Sequence, residues 1–288
     1  MAEPATDADL AKRGPRPGLV SDAQRATFAA DGVVKISNAV DASWIDRLLA
    51  VAQRELLDPG EWVSDTNPGA VEDRLFTTRY LWRHDPTIRD FVFDSGIAGL
   101  VGELLGSNSM RLYFDHMLVK EPETSAPTPW HQDIPYWPFM GKQIASAWVA
   151  LTSTTVAESS LEFIRGSNNW DSYYAPESFD AKKPGWANDS EAEKIPDIEA
   201  ARSDYDIVGF DVEPGDALIF SSWTVHWSPG NAGPNQRAAF STRWLGDDAQ
   251  WSPHPGCDPI VTQEHVSVEP GLYPADDDRF PVAWSRTR

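Results

Sequence analysis

A mainly β fold with flanking helices, its core a sandwich or jelly roll, is expected from three features of this chain. From residue 109 onward the sequence breaks into short β-rich runs at 110–120, 143–152, 161–164, 207–212, 217–221 and 237–245, separated by Gly, Pro and Asn turns. Helical periodicity is confined to the part before residue 106. The turn Glu213-Pro214-Gly215-Asp216 leads straight into the apolar run Ala217-Leu218-Ile219-Phe220, as a strand start should.

Taken in order, residues 1–18 are charged and bear Pro and Gly, which predicts a flexible tail. Ser21 is placed to cap a short helix with Phe28 on its apolar face and Gly32 just past its end. Residues 33–36 predict a strand. Asp41 or Ser43 caps a second helix, in which Trp44, Ile45, Leu48, Leu49, Ala52 and Leu56 recur at helical spacing. A third helix is expected over 86–105, ending at Gly106. Residues 167–206 are polar and acidic, without periodicity and longer than an ordinary loop. They predict an insertion or lid at the mouth of the barrel. A single domain is expected over 19–288, with its β core at about 109–245. The turn-rich stretch after Leu245 has no evident place.

The chain carries 24 basic and 44 acidic residues, a formal charge of −20. Such a field repels nucleic acid and anionic lipid, so neither is an expected partner, and an anionic ligand needs a local basic group. Cys257 is the single cysteine, which excludes an intrachain disulfide and a cysteine-based zinc site. No apolar run reaches the roughly 18 residues of a membrane span, and no signal-peptide core or peroxisomal address is present. The expectation is a cytoplasmic protein acting on a small molecule. Hydrophobic residues make up 41%, including thirteen tryptophans, which favours a packed domain over disorder.

The chemistry centres on Pro129-Trp130-His131-Gln132-Asp133-Ile134-Pro135-Tyr136-Trp137-Pro138. Ile134 and Trp137 each precede a proline and are biased towards extended backbone. In an extended segment His131 and Asp133 project to the same side. One imidazole and one carboxylate on a common face are two-thirds of a 2-His-1-carboxylate iron site. His226, directly after the strand that Pro214-Gly215-Asp216 begins, is the candidate third ligand. Arg237 follows eleven residues later and opens the next strand; its planar fork suits a carboxylate. Alone, a residue such as His226 is usually a hydrogen-bonded loop histidine and one such as Arg237 a surface charge; it is the four matching pieces in order that are not bland.

The ordered set is similar to the phytanoyl-CoA dioxygenase family of Fe(II)/2-oxoglutarate oxygenases. His131-Gln132-Asp133, Pro214-Gly215-Asp216, His226-x-Ser228 and Arg237 carry the resemblance, together with Phe28-Ala29-Ala30-Asp31-Gly32-Val33-Val34 near the start. It implies a double-stranded β-helix of the cupin-like jelly-roll type. His131, Asp133 and His226 would bind Fe(II). Arg237 and Ser228 would hold the distal carboxylate of 2-oxoglutarate, with Trp148 and Met117 lining the same pocket. The reaction implied uses O2 to hydroxylate a C–H bond, converting 2-oxoglutarate to succinate and CO2. The carboxylate at Asp133 argues against halogenation, which needs a small residue there. One departure is that Arg165 and Asn168 replace the proline and histidine of a turn common in the family, which bears on substrate contacts.

On the substrate side, Gln132, Tyr136 and Trp137 adjoin the ligands. Tyr113 and Asp115 share strand parity with Met117, and Arg243 shares parity with Arg237, where it could meet an anionic group. His84, His116, His254 and His265 are expected to be structural or solvated. With this charge and no evident basic patch, a coenzyme A thioester is not the obvious substrate, and a smaller or apolar metabolite is expected at least as readily. Two other readings are a metal-dependent β-barrel enzyme that does not use 2-oxoglutarate and a non-catalytic ligand-binding barrel. Arg237 with Ser228 argues against the first, and the full ligand set against the second.

Overall fold

The computed structural model describes residues 20–176 and 192–286. The tail expected over 1–18 and the middle of the expected insertion therefore lie outside the described residues.

Helix α1 (Asp22–Asp31) begins with a capping box. Ser21 Oγ accepts from Gln24 N at 3.2 Å, and Gln24 Oε1 accepts from Ser21 N at 2.8 Å. Gly32 ends it at φ +78, where a Cβ would also meet Thr224 Oγ1 at 2.4 Å, so only glycine fits. In α2 (Ala42–Leu57) the N-cap is Asp41 rather than Ser43. The single helix expected over 86–105 is two, α3 (Pro86–Asp94) and α4 (Ile97–Leu105). Gly96 at φ +86 lets the chain turn between them.

The first strands are β1 (Val33–Ile36), β2 (Val63–Asp65), β3 (Leu75–Arg79) and β4 (Ser109–Lys120). Next come β5 (Thr128–His131), β6 (Phe139–Met140), β7 (Ile144–Ala150), β8 (Glu162–Ile164) and β9 (Ile207–Gly209). The chain then forms β10 (Ala217–Ser221), β11 (His226–Ser228), β12 (Arg237–Leu245), β13 (Gln250–Trp251) and β14 (Val282–Ser285). Among the described residues, the large antiparallel sheet runs β1-β10-β7-β12-β4-β3-β2, with β14 also paired to β4. A smaller sheet runs β5-β11-β8-β9. The two face each other across Trp148, Leu218, Phe220 and Ala239 on one side and Leu161, Phe163 and Val212 on the other. This is the jelly roll.

Alternation along the strands sorts their side chains between two faces. Met117, Val119, Ala147, Val149, Ile219, Ala238 and Phe240 point outward and pack under Leu48, Phe91, Val101 and their neighbours on the helices. Alanines on β7 let the helices approach closely. Gly215, at φ +93, fits a turn where a Cβ would meet Val40 O at 2.6 Å. The adjacent Asp216 accepts from the backbone N–H groups of Asn38 and Glu213 and pairs with Lys35 at 2.8 Å.

The stretch after Leu245 packs against the core. Trp251, Val261, Val266, Val268 and Phe280 form a second apolar cluster with Tyr113, Phe114, Trp137 and Phe139, closing one end of the barrel. Arg111 anchors it by donating to Phe280 O at 2.7 Å and Asp277 Oδ1 at 2.6 Å.

Candidate active site

Strand β5 ends on His131 and β11 begins on His226, and these two residues are directly paired in the small sheet. Their ring centroids lie 4.2 Å apart. Asp133 reaches the same place by another route than the sequence suggested. The extended segment stops at His131, and Asp133 has helical dihedrals (φ −74, ψ −37) at the start of the short 3-10 turn Ile134–Tyr136. The Ile134 N–H, bonded to Ser222 O at 3.0 Å, holds that turn over the sheet. Trp137 is extended before Pro138, as expected.

One ring nitrogen from each of His131 and His226 and one carboxylate oxygen of Asp133 lie within 4.8 Å of one another, and all three side chains are buried. His131 Nε2 is 3.6 Å and His226 Nε2 3.9 Å from Asp133 Oδ1. Nδ1 of His131 lies 2.8 Å from Pro129 O, and Nδ1 of His226 lies 2.9 Å from Thr224 O. A carbonyl oxygen only accepts, so each Nδ1 carries the proton and each Nε2 presents a lone pair to the centre. The other carboxylate oxygen, Oδ2, accepts from Ser146 Oγ at 2.5 Å. Burial opposes ionisation of Asp133, but the neighbouring Arg243 guanidinium is the largest opposing influence, and the carboxyl is held well below the usual range. Burial, reinforced by His131, lowers His226 to about 3 against the pull of Asp133. Two imidazole Nε2 atoms and an ionised carboxylate converging on one point fit a divalent metal such as Fe(II).

Arg237 projects from the start of β12 into the barrel, 3% exposed. It donates to Ser228 Oγ at 2.9 Å and Ser159 Oγ at 3.2 Å, and its guanidinium lies 5.6 Å from the Trp148 ring. Burial lowers it to about 10, still charged at neutral pH. Lys120, paired with Arg237 across β4 and β12, was not anticipated. Its ammonium donates to Pro229 O at 2.5 Å and Ser228 Oγ at 3.3 Å, and burial, then Arg237, depresses its pKa. A lone cation in the apolar run Met117-Leu118-Val119-Lys120 is the signal that could have found it.

Several expected lining residues lie elsewhere. Met117 is fully buried on the outer face against the helices, not beside Arg237. Asp115 shares that outer face and accepts from the N–H groups of Leu81 (3.1 Å) and Trp82 (2.9 Å), holding the start of a short 3-10 turn. The parity argument fails at a bulge: Thr242 pairs with Asp115 but Trp244 with Leu112, so Tyr113 and Phe114 together oppose Arg243. Tyr113 consequently sits in the cluster under the C-terminal stretch, its hydroxyl 3.5 Å from Asp258 Oδ2. The inward residues beyond the bulge are Phe114, His116, Leu118 and Lys120.

Gln132 lines a small pocket together with His131 and Tyr136. It donates to Ser172 O and Trp223 O, each at 3.0 Å, and accepts from Tyr174 N, pinning the start of the 167–206 segment. Tyr136 stands edge-on to His131 at 5.6 Å. Trp137 and Phe114 each lie 5.7 Å from the Arg243 guanidinium. Arg243 Nε is 3.8 Å from Asp133 Oδ2. Arg165 and Asn168, expected to bear on substrate, instead dock this turn onto α1. Arg165 pairs with Asp31 at 3.0 Å, and Asn168 donates to Ala29 O.

Residues 28–239 match the phytanoyl-CoA dioxygenase (PhyH) family. The chain belongs to that family. A Caenorhabditis elegans relative described as a probable phytanoyl-CoA dioxygenase is 26% identical over 174 residues, which take in 57% of this chain and 52% of the relative. The match thus spans about half of that relative's length. Among solved structures, the non-heme α-ketoglutarate-dependent carbocyclase SnoK of nogalamycin biosynthesis superposes with a TM-score of 0.71 at 21% identity, over 93% of this chain and 99% of its own. The epimerase SnoN, solved with Fe3+, α-ketoglutarate and nogalamycin RO, gives 0.68 at 23% identity, over 91% and 98%. EctD from S. alaskensis, solved with 2-oxoglutarate and 5-hydroxyectoine, gives 0.67 at 18%, over 94% and 92%. At these identities the likeness is one of fold. Among the described residues, no helix is long and apolar enough to cross a membrane.

Proposed function

We propose that the protein is an Fe(II)/2-oxoglutarate-dependent oxygenase that hydroxylates a C–H bond of a small organic molecule. The observation that carries this reading is the convergence of His131 Nε2, His226 Nε2 and Asp133 Oδ1, with both Nδ1 atoms committed to carbonyls. Family membership and the bound groups named for SnoN and EctD support it.

In this reading His131, Asp133 and His226 would hold ferrous iron. Iron with 2-oxoglutarate would supply O2 activation, coupled to loss of CO2 and formation of succinate. The chain does the rest. Arg237 and Ser228 grip the distal carboxylate of 2-oxoglutarate, and Lys120 adds a second positive charge next to them. Trp148 fixes the guanidinium plane from one side. Ser146 donates to Oδ2 of Asp133 and so orients the carboxylate, leaving Oδ1 as the oxygen that would face a metal. Tyr136, Trp137 and Phe114 shield the substrate side from bulk water. Hydroxylation is favoured over halogenation because Asp133 fills the position that a halide would need.

The test is anaerobic visible absorption during addition of Fe(II) and then 2-oxoglutarate. A charge-transfer band that requires both, and weakens in Arg237→Ala, is expected. Bound iron without that band would move the assignment to a metal enzyme that does not use 2-oxoglutarate.

A further inference from the structure

The inner face of the large sheet carries a second group of polar and basic side chains, separate from the one around Arg237. His116 on β4 is directly paired with Arg79 on β3 and with Ser241 on β12. Arg243 follows Ser241 two residues later on the same face and donates to its hydroxyl. Arg237 and Arg243 are six residues apart on β12, about 20 Å along an extended strand, so the two groups occupy opposite ends of the barrel.

Two buried polar atoms in this second group lack hydrogen-bond partners: Arg243 Nε and His116 Nε2. Arg243 is 7% exposed. Among the described residues, its guanidinium has one carboxylate within ion-pair distance, that of Asp133 at 3.8 Å. That contact exceeds hydrogen-bond length, and Oδ2 of Asp133 is already taken by Ser146. Arg79 at the rim has a counter-ion in Asp258 at 3.8 Å. Asp133 is the group that a bound metal would neutralise, and a 2-oxoglutarate dianion would be matched by Arg237 and Lys120. Arg243 is then a buried cation without a compensating anion, an arrangement that a low-dielectric site tolerates poorly. Its surroundings are apolar, with the Phe114 and Trp137 rings each 5.7 Å from the guanidinium.

We propose that Arg243, with His116 beside it and Arg79 at the rim, forms a subsite for a carboxylate of the organic substrate. This deepens the proposed function and rests on it: the substrate class is a small organic acid with an apolar or aromatic body. The fork of Arg243 pairs with the carboxylate, His116 Nε2–H donates to it, and Phe114 and Trp137 flank the carbon skeleton. The next C–H bonds along that skeleton then lie towards Asp133 and the metal ligands.

The experiment uses the iron-loaded protein with 2-oxoglutarate, kept anaerobic, and matched acids and amides: benzoate against benzamide, and phenylacetate against phenylacetamide. Affinity is read by calorimetry and by the change in the charge-transfer band when the probe is added. An acid-over-amide preference of about tenfold or more is expected in at least one pair, lost in Arg243→Gln and partly restored in Arg243→Lys. His116→Leu and Arg79→Gln should each reduce it about threefold, and they decide the matter if Arg243→Gln does not fold. A wild-type protein with no band before any probe is added counts against the proposed function. A normal band with no acid-over-amide preference in either pair, or a preference that survives in all these variants, overturns the subsite.

Discussion

Ser146 Oγ lies 2.5 Å from Oδ2 of Asp133 and leaves Oδ1 facing both imidazoles. One hydroxyl on β7 therefore selects which carboxylate oxygen reaches the centre. Ser146→Ala should weaken metal binding about 10- to 100-fold, as loss of such supporting contacts does, while leaving the fold intact. Titration with Co(II), followed by its visible spectrum, would measure this; unchanged affinity would mean that Asp133 needs no such support.

Removing a ligand outright should do more. His131→Ala, Asp133→Ala and His226→Ala are each expected to abolish 2-oxoglutarate turnover through loss of iron, and a chelator should do the same to the wild type until Fe(II) is restored. Metal analysis of the purified variants alongside succinate release is the check. Wild-type iron content in Asp133→Ala would remove it from the ligand set.

At the other end of the barrel, Arg237→Ala should raise the 2-oxoglutarate concentration needed for half-saturation by about 10- to 100-fold with iron retained. Lys120→Met keeps much of the volume and removes the charge, so a smaller rise of a few fold is expected. Initial rates against 2-oxoglutarate concentration would separate the two, and equal effects would mean that Lys120 grips the dianion as directly as Arg237.

Asp115 gives a pH dependence of stability. Burial raises its pKa from 3.8 to about 7, outweighing the two backbone donors that favour the anion. Between those values the folded chain binds the proton more tightly than the unfolded one. The contribution is therefore complete below 3.8 and is lost as pH rises through about 7. Denaturant unfolding of the wild type and Asp115→Asn across that window should show a flatter pH profile in the variant.

The outward face offers a test of packing. Phe240 is fully buried and meets Phe91 edge-on at 5.2 Å. Phe240→Ala should lower stability by about 3–5 kcal/mol, measurable as a shift in denaturant midpoint.

The parts of the molecule that local chemistry decides were readable from the sequence. Ser21 with Gln24 and Gly32 bracket α1, and Pro214-Gly215-Asp216 starts β10 where the turn residues say it should. His131, Asp133, His226 and Arg237 were singled out by order and residue type. What failed depended on pairing between distant strands. Lys120, not Met117, is the partner of Arg237 across β4 and β12, and that register puts Met117 and Asp115 outside and His116 and Lys120 inside. The bulge opposite Arg243 then takes Tyr113 out of step with Asp115, and neither register nor bulge can be read from alternation along one strand. The hydrogen bonds of Gln132 were illegible for a related reason, because its partners Ser172, Tyr174 and Trp223 lie 40 to 91 residues away. Gly96 was absorbed into one long helix because apolar spacing continues on both sides of it.

The floor under Phe114 and Trp137 comes from Trp251, Val261 and Phe280, all later in the chain than His131, Asp133 and His226. During synthesis the three candidate ligands leave the ribosome before the segment that seals them from below. The order of synthesis thus leaves room for metal capture before the aromatic plug is in place, and the pairing of β14 with β4 is the last strand contact that the chain can make.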